Sequence, residues 1–183
     1  MERKSLAARA VPAARVSFPV RLLLGLAPFT AFAVILGLSL SIALWAAFAL
    51  AFTLGLQAFL DSGHIRNFDA ANTLLFGLLA IFCAFIPPSL TAAWIRLGVE
   101  SVLLGAMLVS LVRGRPFAAE YAREPANGVA TGAFRLSLVW AGALAAMAVA
   151  DASVVFFSFS DAAAAVAGLV VLAGALTFTL RYR

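Results

Sequence analysis

The sequence predicts an all-α integral membrane protein with about six transmembrane helices and both termini cytoplasmic, on three observations. Hydrophobic residues make up 64% and charged residues 11% of the 183, against roughly 45–50% and about 25% in soluble domains. The apolar residues gather in runs long enough to cross a bilayer core, which takes about 20 residues of helix. The basic residues fall between these runs with a strong bias to one side. The formal net charge of +5 and the pI near 10.7 do not indicate nucleic acid. A DNA-binding domain clusters its basic residues on a polar surface, and this chain offers almost none.

Residues 1–21 form a basic cytoplasmic N-terminal segment, and residues 22–183 a single polytopic domain. The run 22–60 carries no charge and is too long for one span. It reads as a helical hairpin turning near Gly37, Ser39 and Ser41. The third span is 70–86, stopped by Pro87-Pro88, because tandem prolines remove backbone donors and bias the preceding residue away from the helix. Residues 91–112 make the fourth span, 136 to about 155 the fifth and 162–180 the sixth. Six spans with the N-terminus inside place every basic residue except Arg96 on the cytoplasmic side. A single crossing over 22–60 would destroy that bias.

Charges, two aromatics and a proline crowd together in RGRPFAAEYARE, residues 113–124. Pro116 suits the first turn of a short helix and Pro125 stops it. Phe117 and Tyr121, four apart, then share one face, with Arg113, Arg115 and Arg123 close to an anionic leaflet. Two readings stand: an ordinary positive-inside loop, and a cytoplasmic patch for docking a partner. GVATG, residues 128–132, is expected to be a flexible connection into the fifth span.

Four ionisable residues fall within or at the outer ends of the spans: Arg96, Glu100, Asp151 and Asp161. Glu100 lies nine residues into its span, roughly 13 Å deep at 1.5 Å per residue. An unpaired acid there costs at least ~2.5 kcal/mol, so it must be paired, protonated or wetted. Arg96, one turn away, is the expected ion-pair partner. The alternative is that Glu100 belongs to a proton or ion pathway. Asp151 is expected to reach water at the outer end, and Asp161 to cap the sixth helix. Trp94 suits the outer interface, whereas Trp45 and Trp140 lie too far from the span ends for that belt. Gly142, Ala146 and Ala150 recur every four residues in span five, as Ala164 and Gly168 do in span six. Such small residues allow close helix approach, within the bundle or between molecules.

No catalytic or cofactor signature appears. His64 is the sole histidine, in a short loop without Cys or His at metal-ligand spacing. There is no P-loop, dinucleotide glycine fingerprint or HExxH. Cys83, the only cysteine, excludes an intrachain disulfide and reads as a small core residue. No enzymatic activity, metal or cofactor is expected.

The fourth span reads TAAWIRLGVESVLLGAMLVSLVRGRPF, with Trp beside a basic residue, a central Gly-Ala, then Leu-Val-Ser before basic residues and proline. The fifth enters as FRLSLVWAGALAAMAVADASVVFF. From about residue 91 to 180 this pattern resembles the intracellular septation protein A family of small polytopic proteins in the bacterial inner membrane. The resemblance implies a non-catalytic scaffold or accessory protein in an envelope-associated assembly, with a membrane-protein partner or a second copy of itself. The longer basic N-terminus, the Ala-rich sixth span and Glu100 depart from that family's pattern. Two further expectations follow from the residues themselves: a small transporter or channel centred on Glu100, and an accessory subunit of an energy-transducing membrane complex.

Overall fold

The charge-free run folds as two helices, α1 (Phe18–Ile35) and α2 (Leu40–Ser62). In the computed structural model they are followed by α3 (Asn67–Phe85), α4 (Ala92–Val112), a turn of 3-10 helix (Phe117–Tyr121), α5 (Asn127–Phe157) and α6 (Asp161–Arg181). The structure describes residues 18–63, 66–85, 92–122 and 127–181, with backbone alone at 62 and 127–131. The segment 1–17, His64, Pro87-Pro88, Arg123 and Arg183 lie outside the described residues. All six α-helices are long and apolar enough to cross a membrane, and no strand occurs among the described residues. The chain is an all-α, multi-pass membrane protein.

Local signals set most helix ends. Pro19 sits in the first turn of α1, where its missing N–H costs nothing. The α1–α2 turn falls at 36–39, where the Leu36 N–H donates to the Phe32 carbonyl at 2.9 Å and that of Leu38 to Ile35 at 2.8 Å. Gly63 ends α2 at φ 72, donating to the Phe59 carbonyl. Gly114 ends α4 at φ 67, and the Gly114 and Arg115 N–H groups reach back to Leu111 and Ser110, both at 3.0 Å. Both glycines take the left-handed conformation that releases a helix while satisfying its last carbonyls.

Three boundaries differ from expectation. Helix α1 begins at Phe18, so residues 18–21 of the expected N-terminal segment are helical. Helix α3 begins three residues before Ala70, because the distant Glu120 carboxylate receives the Phe68 N–H at 3.3 Å and the Asn67 Nδ2 at 3.1 Å. An anion on the first turn satisfies free N–H groups and complements the helix dipole. GVATG is helical rather than a flexible connection, and α5 runs 31 residues from Asn127. The 3-10 turn packs against α5, and the Ala118 N–H bonds the Ser137 hydroxyl at 3.2 Å, a tertiary contact that propensity alone does not reveal.

Sequential helices pack most extensively, α1 with α2 and α2 with α3, then α4 with α5 and α5 with α6. The first and second triplets meet chiefly through α1 against α6 and α3 against α4. Leu22, Leu26, Phe29 and Phe32 form the buried face of α1, at the helical spacing such a face needs. Trp140 is buried and donates its Nε1–H to the Thr179 hydroxyl at 3.0 Å, tying α5 to α6. Trp94 is half exposed, edge-on to Phe156, while Trp45 lies edge-on to Phe48. Cys83 is half buried at the margin of the core. Large apolar side chains such as Leu38, Leu74, Val149 and Val170 face outward, as the surface of a bundle solvated by lipid tails requires.

Candidate functional site

Two polar clusters occupy opposite ends of the bundle. One end gathers the starts of α1, α3 and α5 with the ends of α4 and α6, and carries Arg66, Arg113, Arg115, Arg135 and Arg181. The other gathers the α1–α2 turn, the start of α4 and the α5–α6 junction, and carries Arg96, Asp151 and Asp161.

At the second end the expected pairing is replaced by another. Arg96 binds two carboxylates on other helices instead of Glu100. Its Nε donates to both Asp151 oxygens at 3.0 Å, and its Nη2 reaches Asp151 Oδ1 at 2.9 Å and also Asp161. The reason is directional. A helical side chain leans toward its own N-terminus, which carries the guanidinium away from Glu100. An acid C-terminal to its base is also the weaker order for a pair one turn apart. Asp151 and Asp161 are therefore not the water-exposed residue and simple cap expected of them. Asp151 is only 3% exposed, and it is the Ser160 hydroxyl that accepts an N–H, from Ala163, at the start of α6.

Glu100 is left with a singular environment. It is 3% exposed, and its Oε2 has no hydrogen-bond partner. Asp151 and Arg96 are its charged neighbours, the Asp151 carboxyl lying close enough to share a proton with that of Glu100. Arg96, Glu100, Asp151 and Asp161 together line a cavity of about 330 Å³. Phe29, Phe32 and Val34 from α1, with Met147 and Leu169 opposite, supply its apolar wall. Asp161 is exposed, so the cavity's acidic rim meets the outside while Glu100 forms part of its buried lining. If all three carboxyls ionise, one guanidinium leaves two negative charges uncompensated.

At the basic end the docking patch takes a different form. Phe117 and Tyr121 are each 1% exposed and form part of the core, so neither is offered to a partner. Phe117 packs on Phe68 with ring centroids 5.0 Å apart. Tyr121 donates its hydroxyl proton to Asp69 at 2.7 Å, and the Arg66 guanidinium lies 4.7 Å above its ring. Gly25 makes this approach possible, since a Cβ there would lie 2.1 Å from the Tyr121 hydroxyl. Arg113 and Arg115 remain exposed. The four-residue spacing was legible, but it placed the aromatics on an inward face of a 3-10 turn.

The small-residue stripes separate in the same way. Ala164 and Gly168 are buried against α5, where a Cβ at Gly168 would touch Met147 at 3.7 Å. Gly142 and Ala146 are exposed and Ala150 half exposed, so this α5 stripe is not an internal packing seam. The buried face of α5 uses Ala143, Leu144 and Met147 instead. Asp151 as the partner of Arg96 was missed by sequence reasoning. Matching depth across helices would have found it, because both residues lie one to two turns from span ends on the same side. Comparison with family models, with curated proteins and with solved structures found no match.

Proposed function

We propose that the chain is a small membrane transport protein whose working group is the Glu100 carboxyl. One observation carries this reading: a buried carboxyl with an unpartnered oxygen lines a cavity that Arg96, Asp151 and Asp161 also line. A structural acid in a membrane bundle is expected to be hydrogen-bonded throughout, since each unmet polar atom costs free energy. An intramembrane acid facing a cavity suits a site that takes up and releases a proton or cation. The location, between α1 of the first helix triplet and α4–α6 of the second, lets a small change in triplet packing alter access.

A second reading keeps the chain as a non-catalytic scaffold in an envelope-associated assembly of the bacterial inner membrane, of the septation protein A kind. The exposed Gly142–Ala146 face of α5 supports it, as a surface on which another helix could approach closely. The buried Phe117 and Tyr121 no longer do.

Proteoliposomes loaded with a pH-sensitive dye separate the two readings. The wild-type protein should dissipate an imposed pH gradient faster than protein-free vesicles, and Glu100→Gln should abolish the difference while keeping the wild-type melting temperature. Equal rates for wild type, Glu100→Gln and empty vesicles would leave the scaffold reading.

A further inference from the structure

We infer that the cavity at Glu100 binds a protonated primary or secondary amine with a compact apolar body, in competition with a proton. This rests on the transport reading and names the substrate class of the same site.

Three features converge on that chemistry. The first is charge. Arg96 faces the cavity from α4, Asp151 from α5 and Asp161 from the start of α6, whereas the lining residues from α1 carry no ionisable group. With Glu100 the site holds three carboxyls to one guanidinium, so a cation or a proton must supply the missing positive charge. An anionic substrate would face the same carboxyls with Arg96 already engaged by two of them.

The second feature is the hydrogen-bond vacancy. Arg96 occupies Asp151 and Asp161, but Glu100 Oε2 has no donor. An ammonium N–H meets that oxygen with a charge-assisted bond, whereas a quaternary ammonium has no N–H to give. The third is shape. About 330 Å³ is at the small end of the roughly 300–1,000 Å³ range of ligand pockets. Phe29, Phe32, Met147 and Leu169 offer an apolar wall with aromatic and thioether surface, suited to a hydrocarbon or aromatic body. A bare metal ion would leave that wall unused, and among the described residues no group of metal-ligating side chains is assembled.

Proton and amine then compete for one site. When the ammonium enters, its charge replaces that of the proton on the acidic cluster, and that proton passes to bulk water. Apparent affinity accordingly falls as pH is lowered.

Purified protein in detergent is titrated calorimetrically with 2-phenylethylammonium, benzyltrimethylammonium, 2-phenylethanol and sodium chloride. The primary ammonium should bind with proton release, and the quaternary ion and the alcohol should each bind about tenfold or more weakly, as loss of a charge-assisted bond implies. Glu100→Gln should weaken the primary ammonium by a similar factor. Ala165→Phe, which narrows the cavity while leaving all three carboxyls in place, should do the same and covers the case in which Glu100→Gln fails to fold. Equal binding of primary and quaternary ions, or binding unaffected by either variant, would overturn the inference. Gradient dissipation that depends on Glu100, together with no amine binding or with response to sodium alone, would overturn the amine while sparing the transport reading. Absence of both dissipation and amine binding would overturn both.

Discussion

Tyr121 shows how one side chain can reverse the meaning of a sequence pattern. Its hydroxyl donates to Asp69, its ring lies under Arg66, and it fills the space that Gly25 leaves on α1. Burial first, then the neighbouring Asp69 carboxylate, hold the phenol well above the ordinary tyrosine range. Because the folded state keeps this proton longer than the unfolded chain does, the stabilisation is complete below the unfolded value of about 10 and is lost as pH rises through the folded value. Wild-type protein in detergent should lose unfolding free energy progressively above about pH 10. Tyr121→Phe should be less stable at pH 8 by roughly 1–3 kcal/mol, the cost of stranding the Asp69 acceptor. Its stability should also fall less steeply above pH 10 than that of the wild type. Denaturation curves between pH 8 and 11 check both outcomes, and parallel slopes for the two proteins would remove Tyr121 from the account.

At the scale of elements, α5 and α6 show why small residues alone do not define a seam. Gly168 lies against Met147, whereas nothing stands within 4 Å of a Cβ added at Gly142. Gly168→Leu should therefore overpack the α5–α6 contact and lower stability by about 1–3 kcal/mol. Gly142→Leu should leave the melting temperature of the isolated protein unchanged or raise it, since glycine within a helix costs roughly 0.8–1 kcal/mol relative to alanine. Thermal unfolding of the two variants side by side tests the assignment; a large loss for Gly142→Leu would contradict it. The long α5 teaches a related point. Its first turns contain GVATG, whose local signals favour a loop, yet the backbone there is helical, and the same helix packs elsewhere along its length on the 3-10 turn through Ser137.

For the whole molecule, alternation of six helices collects Arg66, Arg113, Arg115, Arg135 and Arg181 at one end. The positive-inside rule predicts that end at the cytoplasm and the Arg96–Asp151–Asp161 cluster at the opposite face. Cysteine placed at Arg115 in a Cys83→Ala background should be shielded from an impermeant thiol reagent in intact cells. Cysteine at Phe159, exposed between α5 and α6, should react. Labelling at position 115 and protection at 159 would invert the orientation, and with it the side from which the cavity is reached.

The number of spans, the hairpin turn near Gly37 and the presence of a deep acid at Glu100 were all legible in the sequence. Each depends on short-range physics: run length against bilayer thickness, local turn chemistry, and the cost of charge in hydrocarbon. What Glu100 faces was not legible. The lean of the Arg96 side chain, the meeting of α4, α5 and α6, and the cavity left beside α1 decided that Arg96 engages Asp151 and Asp161 and that Glu100 keeps an unmet oxygen. The fate of Phe117 and Tyr121 was decided in the same way, because whether a face turns inward depends on the helices that receive it. Spacing along one helix states which residues share a face; only packing among helices settles what that face meets.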